Sequence, residues 1–377
     1  MKHKNSSFSV ALLRWLVIVL SLVTFCASAA EKGMMRQYQM AKAGGAESPV
    51  PVIKTVPVPV PAAHEVLVRV RAVSLNHKDL YFLDRDRKSG AVSPGLSISD
   101  GAGDVVGVGS DVKGFKVGDR VVATFDKEWI EGEPHGYKPR EGMLSELVIV
   151  TEDNLLPIPE YLSYADAATL PCAAVTAWTS LFKAAHLHKG DYVLLEGTGG
   201  VSVFGLQFAA AAGARPIITS SSDAKLEQAR TLGAVATVNY KTHPDWQQDV
   251  RAATGGAGVK NVLEIGGKDT LPKAIASLAQ GGHIALIGGL SAGGFVRGTP
   301  TDLLKPYNAR LTHIYVGSRA DFAAMNAFMT RHKIKPVIDR VFPFEQATAA
   351  YEYMESGAFF GKIVIAGPTG PGSDLDN

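Results

Sequence analysis

The sequence predicts an α/β protein in which a doubly wound parallel sheet is set into a mostly β domain, and three observations carry that expectation. Residues 191–207 run from a short apolar stretch through Gly197-Thr-Gly199-Gly200 into an apolar segment of helical character. Short β-rich runs then alternate with segments of helical spacing up to about residue 332. The region before this, from about Met35 to Leu156, is instead rich in Val, Gly and Pro, with strand-like alternation in Val66-Leu-Val-Arg-Val-Arg-Ala-Val73. A chain of 377 residues supports two such parts, each with its own core.

Taken from the N-terminus, Lys2, Lys4 and Arg14 lead into an apolar run from Trp15 to about Ala27 that closes on Ala27-Ser28-Ala29-Ala30. Charged, apolar and small-residue sections in that order read as a secretory signal peptide over residues 1–30, which makes the mature chain exported or periplasmic. The run falls short of the ~20 residues that a membrane span requires. Phe25 is too bulky for the position before a lipid-modified cysteine, so Cys26 is not read as an anchor, and no twin-arginine pair marks export in a folded state. Translation starting at Met34 or Met35 would leave the protein cytoplasmic instead. Proline and valine alternate over residues 49–61, which reads as an edge strand with prolines on its free side, a polyproline ligand being the alternative. Turns at Gly101-Ala-Gly103 and Lys116-Val-Gly118-Asp119 punctuate the rest of this first part, residues 35–165.

The second part, residues 166–334, carries strand candidates at 191–196, 216–220, 235–240, 259–265, 282–288 and 312–317. Helical spacing recurs between them at 223–232, 246–254 and 270–278, and after them at 321–332. Continuous apolar runs such as Ile284-Ala-Leu-Ile287 suit strands covered on both faces, and their alternation with helices implies right-handed crossovers. Strands so arranged complete a doubly wound dinucleotide domain. Gly197, Gly199 and Gly200 let the backbone bend sharply and approach a pyrophosphate, while the helix starting near Val201 aims unpaired N–H groups and its positive end at the anion. Ser202 replaces the third glycine of the usual pattern, and a glycine turn taken alone is also met as a plain tight turn. The tail, residues 335–377, holds a strand, a helix at 345–355 and the run Lys362-Ile-Val-Ile365, and is read as packing back on the first part.

These residues carry a resemblance. The stretches are Ser74-Leu-Asn76-His77-Lys78-Asp79-Leu80, Ser99-Asp100-Gly-Ala-Gly103, Trp129-Ile-Glu-Gly132-Glu-Pro134, Leu170-Pro171-Cys172-Ala-Ala-Val-Thr176-Ala-Trp178, the glycine turn and Phe360-Gly361-Lys362. In that order they make the chain from about Met35 to Ala366 similar to the zinc-free branch of the medium-chain dehydrogenase/reductase superfamily, the quinone oxidoreductase-like enzymes often labelled NAD(P)-dependent alcohol dehydrogenases. The resemblance implies a GroES-like catalytic domain interrupted by a Rossmann domain, with the active site in the cleft between them. It also implies cofactor contacts from Thr176, Val201, Gly288 and Lys362.

In the zinc enzymes of that superfamily the catalytic metal is held by a Cys, a His usually followed by Glu, and a second Cys or an acidic residue. This chain has Asn76 and then Ser99-Asp100 at the first two places, with Cys172 alone at a ligand-like position; a catalytic zinc needs three protein ligands, so none is expected. His77 and Asp100 joining Cys172 is the unorthodox alternative, and Cys172 as a small buried hydrophobe is the plain one. The chain's 2 cysteines also exclude a four-cysteine structural zinc lobe. Without a Lewis acid, the reaction that remains easy is hydride transfer from a reduced nicotinamide to a quinone or a conjugated carbonyl. The protein then supplies orientation and a hydrogen bond to the oxygen that becomes negative. Asn76, His77 and Lys78 are the candidates for that bond, with Tyr81 beside them; loop tethering by Asn76 and solvated His77 and Lys78 are the plainer readings. NAD(P)-dependent alcohol or aldehyde dehydrogenation is the alternative reaction. A non-catalytic nucleotide-binding sensor or crystallin-like protein is the alternative from another class. No Ser/His/Asp or paired-carboxylate constellation stands out elsewhere in the sequence.

An acidic residue about 20 residues beyond the turn would bind the ribose of NAD. The alignment that the resemblance suggests puts Ser220 there, followed by Ser221, Ser222 and Lys225. Hydroxyls and a cation suit a 2′-phosphate, so NADPH (NADP) is preferred over NADH. Asp223 opposes this, and Lys225 as a surface lysine is the plain alternative. Tyr240 is placed beside the adenosine phosphate, as in similar enzymes. A net charge of +2 gives no field for nucleic acid, and no basic amphipathic helix argues for membrane association of the mature chain. The expected partners are a small-molecule substrate and a second copy of the chain. The resemblance implies a homodimer, and strand 312–317, at the edge of the Rossmann sheet, carries no Lys, Glu or Pro to blunt it against a symmetry mate.

Overall fold

The computed structural model describes residues 33–368 apart from 43–47, 94, 135 and 137. The signal expected over residues 1–30, with Cys26, lies outside the described residues, as does the end of the tail.

Strands β1 (Met34–Ala41) and β2 (Val50–Pro57) form a two-stranded antiparallel sheet, so the proline-bearing segment is a strand with a free edge. β3 (Glu65–Ser74) is the spine of the next sheet. Its Val66, Val68 and Val70 are buried in one core, as period-two alternation requires; a register shift between Val70 and Ala72 then puts Val73 and Leu75 into that core and Ala72 into the other. Helix α1 (His77–Ser89) follows directly and is started by Asn76, whose N–H donates to Asp79 Oδ2 at 2.8 Å. β4 (Asp100–Val108), β5 (Arg120–Ala123), β6 (Leu147–Thr151) and β7 (Leu155–Pro157) complete the part of this sheet that precedes the glycine turn. β4 lies so close to β3 that a Cβ on Gly103 would stand 1.9 Å from the Arg69 carbonyl oxygen.

A run of short helical turns between residues 164 and 184 leads to the parallel sheet. In chain order this comprises β8 (Tyr192–Leu195), α2 (Gly200–Ala211), β9 (Arg215–Ser220), α3 (Asp223–Thr231), β10 (Ala236–Asn239), α4 (Trp246–Ala253), β11 (Val259–Glu264), α5 (Leu271–Ala276), β12 (Leu278–Leu286), β13 (Arg310–His313) and α6 (Arg319–His332). Its strand order is β10-β9-β8-β11-β12-β13, all parallel. The order reverses between β8 and β11, which opens a crevice at the carboxyl ends of those two strands. The chain then returns: β14 (Ile338–Phe342), α7 (Ala347–Glu355) and β15 (Lys362–Ala366) add to the first sheet, giving β14-β15-β3-β4-β5-β7 with β6 on β3.

Two elements differ from the sequence expectation. β12 begins at Leu278 rather than near residue 282, because Leu278 already pairs with Val259 before a register shift around Gly281, whose φ is +67°. The last strand, expected over 312–317, runs Arg310–His313. It stops where its only neighbour stops: β12 ends at Leu286, opposite His313, and Ser318 caps α6 shortly afterwards.

Ser202 stands in the third-glycine position without cost because its hydroxyl donates to the Glu196 carbonyl at the end of β8. The close approach of helix to sheet is made one turn later, at Gly205, where a Cβ would lie 2.9 Å from Leu195 Cδ2 and 3.0 Å from Leu263 Cδ2. Gly205→Leu is therefore expected to destabilise the protein by about 1–3 kcal/mol through overpacking. Urea unfolding should show a lower midpoint with an unchanged slope; an unchanged midpoint would mean that the interface relaxes freely.

Candidate active site

The glycine turn sits at the head of the crevice. Gly197 has φ +70°, and its N–H donates to Thr219 Oγ1 on β9 at 3.2 Å, which holds the bend against the neighbouring strand. Gly199 is the N-cap of α2 and no side chain caps the helix, so its first-turn N–H groups are left for an anion. Val201 lies in that first turn. The residues thus fit a dinucleotide pyrophosphate.

Gly199 also forms a parallel bridge with Gly361, whose N–H donates to the Thr198 carbonyl at 3.0 Å. This contact brings the start of β15 against the turn. A Cβ on Gly200 would stand 2.6 Å from Lys362 Cδ, so the lysine stem passes through the space that the glycine leaves open. The Lys362 ammonium then donates to the Leu75 carbonyl at 2.6 Å and to Asn76 Oδ1 at 2.7 Å. An ammonium has only donors, so it must face the amide oxygen, and Asn76 Nδ2 is turned the other way. That NH₂ group is buried and makes no hydrogen bond among the described residues. Lys362 is 3 % exposed and Asn76 8 %.

Lys78 approaches from α1. Its ammonium donates to Asp79 Oδ1 at 2.6 Å and to the Ser97 carbonyl at 2.8 Å, and lies 5.6 and 5.5 Å from the Phe82 and Phe125 ring centres. Burial alone would lower its pKa; Asp79, Cys172 and Asp100 together hold it above the ordinary lysine value. The Cys172 N–H donates to Asp100 Oδ2 at 3.0 Å, and Ser99 Oγ donates to Asp100 Oδ1 at 2.6 Å. Burial, then the charge of Asp100, pushes the Cys172 thiol up, while Lys78 and Lys362 pull it down by less. Lys362 itself is lowered by burial and partly restored by Asp100, Cys172 and Asp79. Among the described residues no group of three or more His, Cys, Asp or Glu is placed to hold a metal ion. A thiol faced by two ammonium groups is a poor ligand set for a divalent cation, and the residues around Cys172 do not fit zinc.

The other residues singled out from the sequence spread along the crevice. Thr176 is buried, its hydroxyl given to the Cys172 carbonyl at 2.7 Å. Ser220 is buried at the end of β9, 3.4 Å from Thr198 Oγ1, and its carbonyl accepts from Tyr240 N–H at 3.1 Å; Ser221 beside it is half-buried. The Lys225 ammonium donates to the Gly357 carbonyl at 2.6 Å, and burial lowers its pKa. Gly288 packs against the loop after β11, where a Cβ would stand 2.5 Å from the Ile265 carbonyl oxygen. His77 is exposed, although protein packed around its ring pushes its pKa below the ordinary value. Tyr81 is 64 % exposed, its ring edge-on to Phe82, and is not buried with Asn76.

One constellation was missed from the sequence. Glu196, directly after β8, and Glu264, the last residue of the adjacent β11, bring their carboxyl groups together in the floor of the crevice, where Glu196 Oε2 accepts from the N–H of Ile265, the neighbour of Glu264, at 3.2 Å. A carboxylate ending an otherwise apolar strand, as in Tyr192-Val-Leu-Leu-Glu196, was the available signal. Their pairing depends on strand order, which no local pattern records.

Comparison with known proteins agrees with this geometry. Residues 62–160 match the family described as alcohol dehydrogenase GroES-like domain, and residues 200–331 match the family described as zinc-binding dehydrogenase. A zinc-type alcohol dehydrogenase-like protein of Schizosaccharomyces pombe is 42 % identical over 312 residues, covering 80 % of this chain and 90 % of its own. A solved NAD-dependent alcohol dehydrogenase superposes with a TM-score of 0.76 at 34 % identity, over 88 % of this chain and 99 % of its own. A solved quinone oxidoreductase of Pseudomonas syringae pv. Tomato DC3000 gives 0.71 at 27 % identity, over 88 % and 99 %.

The raised thiol pKa has a direct readout. Thiolate is the reactive form, so iodoacetamide at neutral pH should alkylate Cys172 at least about tenfold more slowly in the folded protein than in urea. Peptide mapping by mass spectrometry checks this for the half-buried Cys172, and equal rates would mean that the fold does not raise the thiol.

Proposed function

Since this chain belongs to the medium-chain dehydrogenase/reductase family and is an NAD(P)-dependent oxidoreductase, we propose that it is a zinc-independent reductase that passes hydride from NADPH to a quinone, an enone or a similarly activated carbonyl compound. The observation that carries this reading is the buried, unpartnered Asn76 Nδ2, held in one orientation by Lys362. Bound reduced nicotinamide supplies the hydride. Asn76 Nδ2 donates a hydrogen bond to the substrate oxygen that gains negative charge, and the nearby Lys362 and Lys78 ammonium groups lower the energy of that charge without a metal. Such fixed donors suffice for an acceptor that is already conjugated. Alcohol dehydrogenation, suggested by the relatives' names, is the second reading.

For the cofactor, Lys225 spends one of its three N–H groups on Gly357 and keeps two for a 2′-phosphate, with Ser221 beside it. Asp223, the residue that opposes a phosphate, accepts a hydrogen bond from Asn239 Nδ2 at 2.8 Å. We further propose a homodimer through β13, the edge of the parallel sheet, and a strictly monomeric mass at micromolar concentration would rule that out.

Asn76→Ala is expected to lower kcat/KM for enones and quinones by about 10²–10³ while leaving the Kd for NADPH nearly unchanged, and a chelator should not reduce activity. Turnover of alcohols but not of quinones or enones, or loss of activity on chelation, would overturn the reading. Lys225→Ala should weaken NADPH by about 10- to 100-fold and leave NADH nearly unchanged, the scale of one charge-assisted contact. Ser220→Asp should shift the kcat/KM ratio towards NADH. Equal losses for both cofactors in Lys225→Ala would assign that lysine a structural role.

A further inference from the structure

We propose that Glu196 and Glu264 are positioning residues that share one proton, and that this proton fastens the loops receiving the dinucleotide, so that cofactor binding fails when it is lost. The inference rests on dinucleotide binding at the crevice, and neither on the acceptor substrate nor on the preference between NADPH and NADH.

The geometry is that of an acid paired with its conjugate base. Glu196 is 7 % exposed and Glu264 fully buried. Glu196 Oε2 accepts from the N–H groups of Ile265 and Gly266, at 3.2 and 3.4 Å. Glu264 Oε1 accepts from Gly267 N–H at 2.8 Å and from Thr270 Oγ1 at 2.7 Å. Glu196 Oε1 and Glu264 Oε2 are then the oxygens left for the contact between the two groups. Two carboxylate oxygens cannot bond without a hydrogen between them. Glu264 has the shorter donors, so it keeps the charge, and Glu196 carries the proton and donates. Burial, then the charge of Glu264, raises Glu196 well above the ordinary carboxylate range, and burial raises Glu264 as well.

Among the described residues, the groups that hydrogen-bond the pair are those backbone N–H groups and the Thr270 hydroxyl, while Lys268 and Asp269 of the same loop are exposed to solvent. Behind the strand ends, Thr219 of β9 accepts from Gly197 N–H and Ser202 of α2 donates to the Glu196 carbonyl. None of the groups bonded to the pair titrates in the physiological range or supplies a cation, so a second negative charge would stand uncompensated.

What the pair holds is the rim of the cofactor crevice. Leu290 and Ser291 N–H groups donate to the Ile265 and Gly266 carbonyls at 3.1 and 2.8 Å, and Lys268 N–H donates to the Gly294 carbonyl at 3.0 Å. Gly288 N–H donates to the Glu264 carbonyl at 3.3 Å. The loops after β11 and β12 are therefore joined to each other and anchored on Glu264, while the glycine turn leaves from Glu196. Proton loss sets two like charges side by side under this junction and beneath an anionic ligand.

The test is the Kd of NADPH and of NADH, read from nicotinamide fluorescence between about pH 6 and pH 9.5, for wild type, Glu196→Gln and Glu264→Gln. NADH has no 2′-phosphate and so controls for titration of the ligand. For wild type, both Kd values should rise with pH, approaching about tenfold per unit beyond the pair's pKa. Either variant supplies an amide donor in place of the shared proton, so it should bind as wild type does at low pH and lose that rise. If one variant does not fold, the other carries the comparison. A wild-type Kd that is flat for both nucleotides, or a rise that survives in the variants, overturns the inference and leaves the assignment of the reaction untouched. Infrared difference spectra of wild type against Glu196→Gln should also contain a protonated-carboxyl band at neutral pH, and its absence would refute the shared proton.

Discussion

The buried ammonium of Lys362 is the contact on which the cleft depends. It sits on the first residue of β15, a strand that has come back from the far end of the chain to pair with β3, and its stem fills the gap above Gly200. From there it reaches Leu75 and Asn76 at the end of β3. The glycine turn of one sheet and the last residues of another are thus fixed to the same side chain. A buried charge is tolerated only when its donors are met and opposite charge is near, and both conditions hold: two acceptors bond it, with Asp100 and Asp79 close by.

Lys362 also explains why Asn76 is more than a helix cap. Asn76 could satisfy its amide locally, as capping asparagines do. Instead its oxygen is taken by the ammonium, and its NH₂ group is left buried and unbonded. Groups in that state are costly in a folded protein and are kept where a ligand completes them. The same charge, with Lys78, makes the surroundings of Cys172 electropositive. This part of the cleft is built around the two ammonium groups of Lys362 and Lys78.

Much of this was legible in the sequence. The glycine turn marked β8 and α2, continuous apolar runs marked the parallel strands, and valine alternation marked β3. Each of these signals is local: a period of two, a period of 3.6, or a glycine where the backbone needs room. The expectations went astray where a neighbour decides the outcome. β13 is short because β12 ends at Leu286, and the apolar residues after His313 gave no sign of that. Ser202 looked like a defect in the glycine pattern, yet its hydroxyl is used and Gly205 takes over the close packing.

The sequence by itself determined the order and type of the elements, the phosphate-binding turn and the family to which the chain belongs, because these depend on residues close together along the chain. Only the tertiary structure decided what the polar side chains do. Lys362 and Asn76 are separated by almost the whole described chain, as are Cys172 and Asp100 by a sheet's width of sequence, and Glu196 meets Glu264 only because β8 and β11 lie side by side. A hydrogen bond or a raised pKa depends on distances of a few ångströms and on the exclusion of water, and both are set by how the strands are ordered and packed.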